Sequence, residues 1–327
     1  MSREIEITAE TLTQLLPSKH PNDITHPVKS LSFSTNGERI IMSTEDDSIF
    51  MYDMNTAMKS RCINSKKYGC SHVRFASDAM CALHGSTKMD NTIRYLSLTD
   101  NKYIRYFQGH DGLVTGINVS PLDDMFLSVA KDRSIRLWDL RTYNCIGLMT
   151  VAATPIATFD PEGLLFAAGI DNNTVKLYDL RSFDKGPFSS FECIRNEDDL
   201  EWTMMRFSPC GKYILICTNG NQLTLLDAFT GSLLYTLQEH QNSEKVPLNA
   251  SFTPESSHIM VGSSDGFIYF YSVESGEVVH RLRSPKDKTC HYAEFSPNHF
   301  AAATSTTTEH LLTLWCASDE LKNSVQL

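Results

Sequence analysis

A strand-like segment that ends on an aromatic or apolar residue, usually followed by aspartate, recurs seven times in this 327-residue chain. The copies are SIFMYD at Tyr52-Asp53, NTIRYLS around Tyr95, SIRLWD at Trp138-Asp139, TVKLYD at Tyr178-Asp179, QLTLLD at Leu226-Asp227, FIYFYS at Tyr271-Ser272 and LLTLWC at Trp315-Cys316. Successive copies lie 43, 43, 40, 48, 45 and 44 residues apart. A second pattern runs in phase: an apolar strand closes at Phe33, Phe75, Val119, Phe159, Phe207, Phe252 and Phe295, with steps of 42, 44, 40, 48, 45 and 43. Turns such as Ser-Pro-Cys-Gly and Asp-Pro-Glu-Gly follow it, with Pro where φ is preset and Gly where φ must be free.

A period of about 40–45 residues with four strands per unit is the WD-repeat signature of a propeller blade. The expected fold is therefore all-β, a seven-bladed WD-repeat β-propeller. Seven blades account for nearly the whole chain, so the reading is one domain over residues 28–316, an N-terminal arm (1–27) and a C-terminal tail (317–327). Few residues follow Trp315, so the last blade lacks an outer strand of its own. The arm is expected to supply it through Leu12–Leu16 and close the ring, which leaves only short strand edges exposed.

The third unit carries the fullest blade motif. Gly109-His110 precede its first strand, Ser128 sits in the second, Asp132 in the next turn, and Trp138 closes the third. Buried His, Asp and indole N–H groups each need a partner, and these four are expected to supply one another as a structural network. Other units keep parts of it: Asp46 or Asp47, Asp90, Asp171 and Asp265 at the matching turn, and His240 at the Gly-His position.

A net charge of −10 argues against broad nucleic-acid binding, which needs a basic patch to displace counterions. The nine scattered cysteines include no C-x-x-C pair and read as reduced thiols in an intracellular protein. The first residues have no apolar signal core, and no apolar run reaches membrane-span length. There is no phosphate loop and no paired His or Cys metal motif. The expectation is a protein that is not an enzyme and needs no cofactor or metal.

More specific stretches carry a family resemblance. They are SKKYG (Ser65–Gly69), NTIRYLSLTDNKYIRYFQGH (Asn91–His110), IRLWDLR (Ile135–Arg141), DPEGLLFAAG (Asp160–Gly169), VKLYDLRSFDKGPF (Val175–Phe188) and EWT (Glu201–Thr203). They resemble the small WD-repeat subunit of COMPASS-type histone H3 methyltransferase complexes, along essentially the whole propeller. The resemblance implies a nuclear, chromatin-associated adaptor beside a SET-domain methyltransferase that modifies the fourth residue of histone H3, a lysine. It also implies sharing with a nuclear type 1 phosphatase scaffold, in fungi with the cleavage and polyadenylation machinery, and recruitment by the phosphorylated RNA polymerase II tail. The sequence departs from the family in its longer arm, the acidic NEDDLE loop and the Ser/Thr-rich TSTTTEH segment.

Three segments are candidate partner sites. In Lys102-Tyr103-Ile104-Arg105-Tyr106-Phe107, period-two alternation puts Lys102, Ile104 and Tyr106 on one face and Tyr103, Arg105 and Phe107 on the other. Aromatics on both faces of an outer strand suit an interface, or packing between blades with solvated cations. The turn holding Phe183, Asp184, Lys185 and Phe188 is either a peptide-docking site or a rigid clamp on the blade edge. Lys66, Lys67, Arg94 and Arg105 form a candidate phosphopeptide-reading set, or are ordinary solvated charges. The acidic stretch Glu197–Glu201 reads as a solvated loop or a contact for a basic segment. A rival function, substrate receptor of a cullin-RING ubiquitin ligase, rests on the Asp-x-Arg turns at Asp139/Arg141 and Asp179/Arg181. Direct RNA binding is the third reading, disfavoured by charge.

Overall fold

The structure is a computed structural model that describes residues 6–193, 200–285, 289–306 and 312–318. It contains seven four-stranded antiparallel sheets. Blades one to six span residues 28–64, 71–107, 114–150, 156–192, 202–237 and 251–283, each built from four consecutive strands. Blade seven takes three strands from 290–317, and its outermost strand is Leu15–Lys19, paired antiparallel with Thr313–Ala317. The ring is thus closed by the N-terminal arm, as expected, with the strand shifted towards the C-terminus from the Leu12–Leu16 expected. Leu12 belongs to a short helix, Ala9–Leu12, whose end is capped by Thr8 through Thr11 N–H. The closing strand begins three residues later, at Leu15. Leu12 and Leu15 are both fully buried against Trp315 and the blade six–seven core.

Packing follows the repeat. The aromatic or apolar residue that closes each third strand is buried: Tyr52, Trp138, Tyr178, Leu226, Tyr271 and Trp315. In blade two, however, Leu96 is buried and Tyr95 only partly so. Apolar clusters lie between neighbouring blades, so each seam is its own small core rather than part of one central core. The inner strands instead surround a polar central channel, where Arg206 of blade five makes a two-pronged ion pair with Glu294 of blade seven at 2.9 and 3.0 Å. A β-bulge interrupts the pairing of third and outer strands in blades one, two, three, five and six, just at or before the closing residue. That recurring extra residue decides where several candidate side chains point.

Candidate functional site

In blade three, His110 Nδ1 lies 2.9 Å from Asp132 Oδ2 and Nε2 lies 2.7 Å from Ser128 Oγ. Trp138 Nε1–H donates to the same hydroxyl at 2.8 Å. Ser128 accepts from the indole and so donates its own proton to Nε2, which leaves Nδ1–H to donate to Asp132. A neutral imidazole therefore satisfies every partner. Burial lowers the His110 pKa and outweighs the opposing carboxylate. Burial also pushes the Asp132 carboxyl up, but bonds from Ser134 and His110 prevail and hold it below the ordinary range. Blades six and seven substitute other partners: His240 Nδ1 meets Tyr271 Oη at 3.1 Å, and Trp315 Nε1–H donates to Thr304 at 2.9 Å.

The densest surface chemistry lies where blades one and two meet at one mouth of the ring. Asp47, nearly buried and at positive φ, receives Lys29 at 3.0 Å and Lys88 at 2.5 Å. Burial would raise its carboxyl, but the two ammoniums hold it below the usual range. The Ser65–Gly69 loop folds over this pair. Gly69 and Tyr68 N–H both donate to Ser65 O, and Thr87 and Lys88 N–H donate to Tyr68 O. Gly69 is required, since its φ is +72° and a Cβ would collide with Thr87. The locked loop presents Lys66 and Lys67 to solvent, with Lys67 Nζ 5.0 Å above the Tyr68 ring.

The alternation expected along Lys102–Phe107 does not hold. A bulge after Tyr95/Leu96 inserts Ile104 as the extra residue of the outer strand. Tyr103 and Tyr106 therefore share a side, ring centroids 5.7 Å apart, facing blade one. Arg105 and Phe107 turn towards blade three: Arg105 donates to Leu140 O and stacks on Tyr143 at 4.8 Å, and Phe107 packs on Phe126 at 4.8 Å. Tyr103 is half-buried with its hydroxyl on Ser65. Lys102, Ile104 and Tyr106 remain exposed.

Nor do the four candidate cations form one exposed set. Arg94 is only 3% exposed. It holds Asp90 with two bonds of 2.8 Å, donates to Ser86, and lies 3.8 Å from the Tyr68 ring centre, with Tyr103 and Tyr106 beyond. A guanidinium so enclosed presents no donor to solvent for a phosphate to reach. Arg105 is committed to blade three. Lys66 and Lys67 alone of the set stand free in solvent, beside Lys88.

At the blade three–four edge, Phe183–Lys185 form one turn of 3-10 helix. Phe183 packs into the seam, over Gly147, where a Cβ would sit 2.4 Å from its ring. Asp184, Lys185 and Phe188 face solvent, Phe188 at 59% exposure. The Phe183 ring is thus a clamp between blades, and only the other three offer a surface. Arg141 folds back on Asp139 through two bonds of 2.9 and 2.8 Å, and Arg181 N–H donates to Asp179. At Asp139–Arg141 the arginine side chain closes its own turn, and at Asp179–Arg181 the backbone N–H does. Most of the NEDDLE and TSTTTEH segments lies outside the described residues. Asp47's double lysine clamp and the Arg206–Glu294 strut were not anticipated. Their partners come from different blades, and only the even spacing of inner-strand positions hints that Arg206 and Glu294 share the channel.

Among the described residues no helix is long and apolar enough to cross a membrane. The sequence profile of the family described as WD domain, G-beta repeat, matches residues 18–53, 101–139 and 231–272. Over 296 residues the chain is 44% identical to WD repeat-containing protein 82 of Drosophila melanogaster, covering 90% of this chain and 92% of that protein. It is 38% identical over 233 residues to Set1 complex component swd2 of Schizosaccharomyces pombe, covering 70% and 65%. It is 31% identical over 268 residues to COMPASS component SWD2 of Saccharomyces cerevisiae, covering 80% of each. With blades, closure and near full-length similarity in agreement, the chain belongs to the WD-repeat family that includes WD repeat-containing protein 82 and COMPASS component SWD2.

Proposed function

We propose that this protein is a non-catalytic scaffold subunit of a COMPASS-type histone H3 lysine methyltransferase complex in the nucleus, and that it links the complex to transcribing RNA polymerase II. The observation that carries the reading is similarity along most of the chain to proteins named as Set1 complex and COMPASS components. The site chemistry supports it. The blade-three network of His110, Ser128, Asp132 and Trp138 is internally satisfied, as suits a rigid platform, and the conspicuous surface features are a lysine-bearing loop and exposed aromatics.

In this reading Lys66 and Lys67, with Lys88 beside them, face a phosphorylated segment of the polymerase tail, and Lys102 and Tyr106 belong to the adjoining contact. Asp184, Lys185 and Phe188 form a second surface for the methyltransferase or a type 1 phosphatase scaffold. The test is affinity purification of the tagged protein from nuclear extract, with mass spectrometry of stoichiometric partners. Recovery of a SET-domain methyltransferase with its complex is the expected result; recovery of a cullin-ligase adaptor without any chromatin enzyme overturns the reading. In the same assay, Lys66→Glu with Lys67→Glu should lose phosphorylated polymerase while retaining the methyltransferase.

A further inference from the structure

The short turns that join each blade's inner strand to its second strand gather round the other mouth of the channel. Five of them begin at Pro121, Pro161, Pro209, Pro254 and Pro297, which line an open depression of about 590 Å³ above the inner-strand phenylalanines. That size lies within the range of roughly 300–1,000 Å³ usual for ligand pockets, and apolar walls are usual too. Its floor is the Arg206–Glu294 pair, in which each charge is already answered by the other.

The same seven turns have a one-sided charge. Glu38, Asp78, Asp123, Asp124, Glu162 and Glu255 are exposed on them, and none of the six is in an ion pair among the described residues. Lys212 is the single lysine or arginine in these turns. Asp160 is a seventh carboxylate, but it is buried and accepts from the Leu164 and Leu165 N–H groups. The opposite mouth is mixed, with Lys29, Lys66, Lys67 and Lys88 beside Asp46, Asp47, Asp90 and Asp132. Some of the six accept local hydrogen bonds, as Asp124 does from Ser77 and Glu38 from Asn36, but turns that expose six carboxylates and one lysine beside a proline-lined hollow select an occupant by charge complementarity.

We propose that this mouth docks an extended basic segment of a partner protein, one apolar side chain entering among the prolines and flanking Lys or Arg residues reaching the turn carboxylates. A second copy of this chain fits poorly, because it bears a net charge of −10 and no dense basic run. A metal ion fits poorly as well, since the described residues hold no group of three His, Cys, Asp or Glu able to bind one. The proposal uses the face opposite the lysine loop and does not depend on the polymerase contact.

The test uses the full chain and an immobilised library of short peptides, each with Lys and Arg flanking a varied apolar residue, beside matched peptides with Glu flanks or a central Ser. The basic, apolar-centred peptides should bind, and raised salt should weaken them. Glu38→Lys, Asp123→Lys and Glu162→Lys together should reduce their affinity about ten-fold or more. The Lys66→Glu, Lys67→Glu variant should bind as wild type. Circular dichroism and melting temperature establish that both variants fold. Equal binding of basic and acidic peptides, no binding of the basic set, or undiminished binding by the triple variant overturns the proposal. Self-association in sedimentation that the triple variant abolishes also overturns it, in favour of a second copy.

Discussion

At the scale of single residues, the blade-three network answers buried polarity from within one blade. Asp132 accepts from His110 Nδ1, from Ser134 Oγ and from the Asp111 N–H. Asp132→Ala would strand the imidazole donor and the serine hydroxyl, so it should destabilise by about 1–3 kcal/mol in urea unfolding. Ser128→Ala should cost a similar amount, because it orphans both His110 Nε2 and the Trp138 indole. Burial pushes the pKa values of the His84 and His240 imidazoles down to about 4, in His240 against the opposing pull of Asp265. Each stays neutral in the fold, whereas the unfolded chain takes up a proton near pH ~6.5. Stability from these groups is therefore complete above about pH 6.5 and declines as pH falls towards about 4, by at most about 1.4 kcal/mol per pH unit for each histidine. The lowered carboxyl of Asp132 adds a loss of the same sign at lower pH, below the ordinary carboxylate value. Unfolding midpoints at about pH 7.5 and pH 5 check the sign, and identical midpoints would contradict it.

At the scale of strands and turns, what could be read from the sequence and what could not divide along a clear physical line. Two in-phase patterns state blade number and strand order, because each blade must bury one closing residue against its neighbour and end its inner strand in a turn. The position of His110 relative to Ser128, Asp132 and Trp138 is legible for the same reason: all four belong to one blade. The facing of Tyr103 and Arg105 is not legible, because one bulge residue, Ile104, changes the parity and nothing in the local composition marks it. The fate of Arg94 is hidden for another reason: its cage combines Tyr68 from the preceding loop with Tyr103 and Tyr106 from the neighbouring strand. Close approach between blades is equally silent. Gly262 faces the Cys290 carbonyl, and a Cβ there would lie 2.4 Å from backbone oxygen of the next blade. Gly262→Ala should therefore cost about 3 kcal/mol or more, since overpacking against backbone cannot relax by a rotamer change. Gly116→Ala meets only one methyl of Val129 and should cost distinctly less. Thermal melts of the two variants give the ranking, and equal losses would refute the seam argument.

At the scale of the whole molecule, the ring is only as stable as its last joint. Each blade-to-blade seam is a separate apolar cluster, so the chain has no single core to hold it together if one seam opens. The seam of blade seven is made by two ends of the chain: Leu15–Lys19 pairs with Thr313–Ala317, and the Ser318 N–H donates to Gln14 O at 2.8 Å. Leu12 and Leu15 anchor the arm beside Trp315, so Leu15→Ala should destabilise by about 2–5 kcal/mol through the cavity it leaves. Removal of residues 1–19 has a second consequence. It bares the Thr313–Ala317 edge, a row of unpaired backbone groups that invites pairing with other molecules. The truncated chain should melt at lower temperature and aggregate on concentration, as light scattering would detect. If the arm acts as a strand rather than as a solubilising tail, a synthetic peptide of residues 6–19 should restore the soluble form by strand addition. The same peptide with Leu12 and Leu15 both changed to Asp should not. Full solubility and an unchanged melting temperature after truncation would show instead that the six self-contained blades hold the ring without its closing strand.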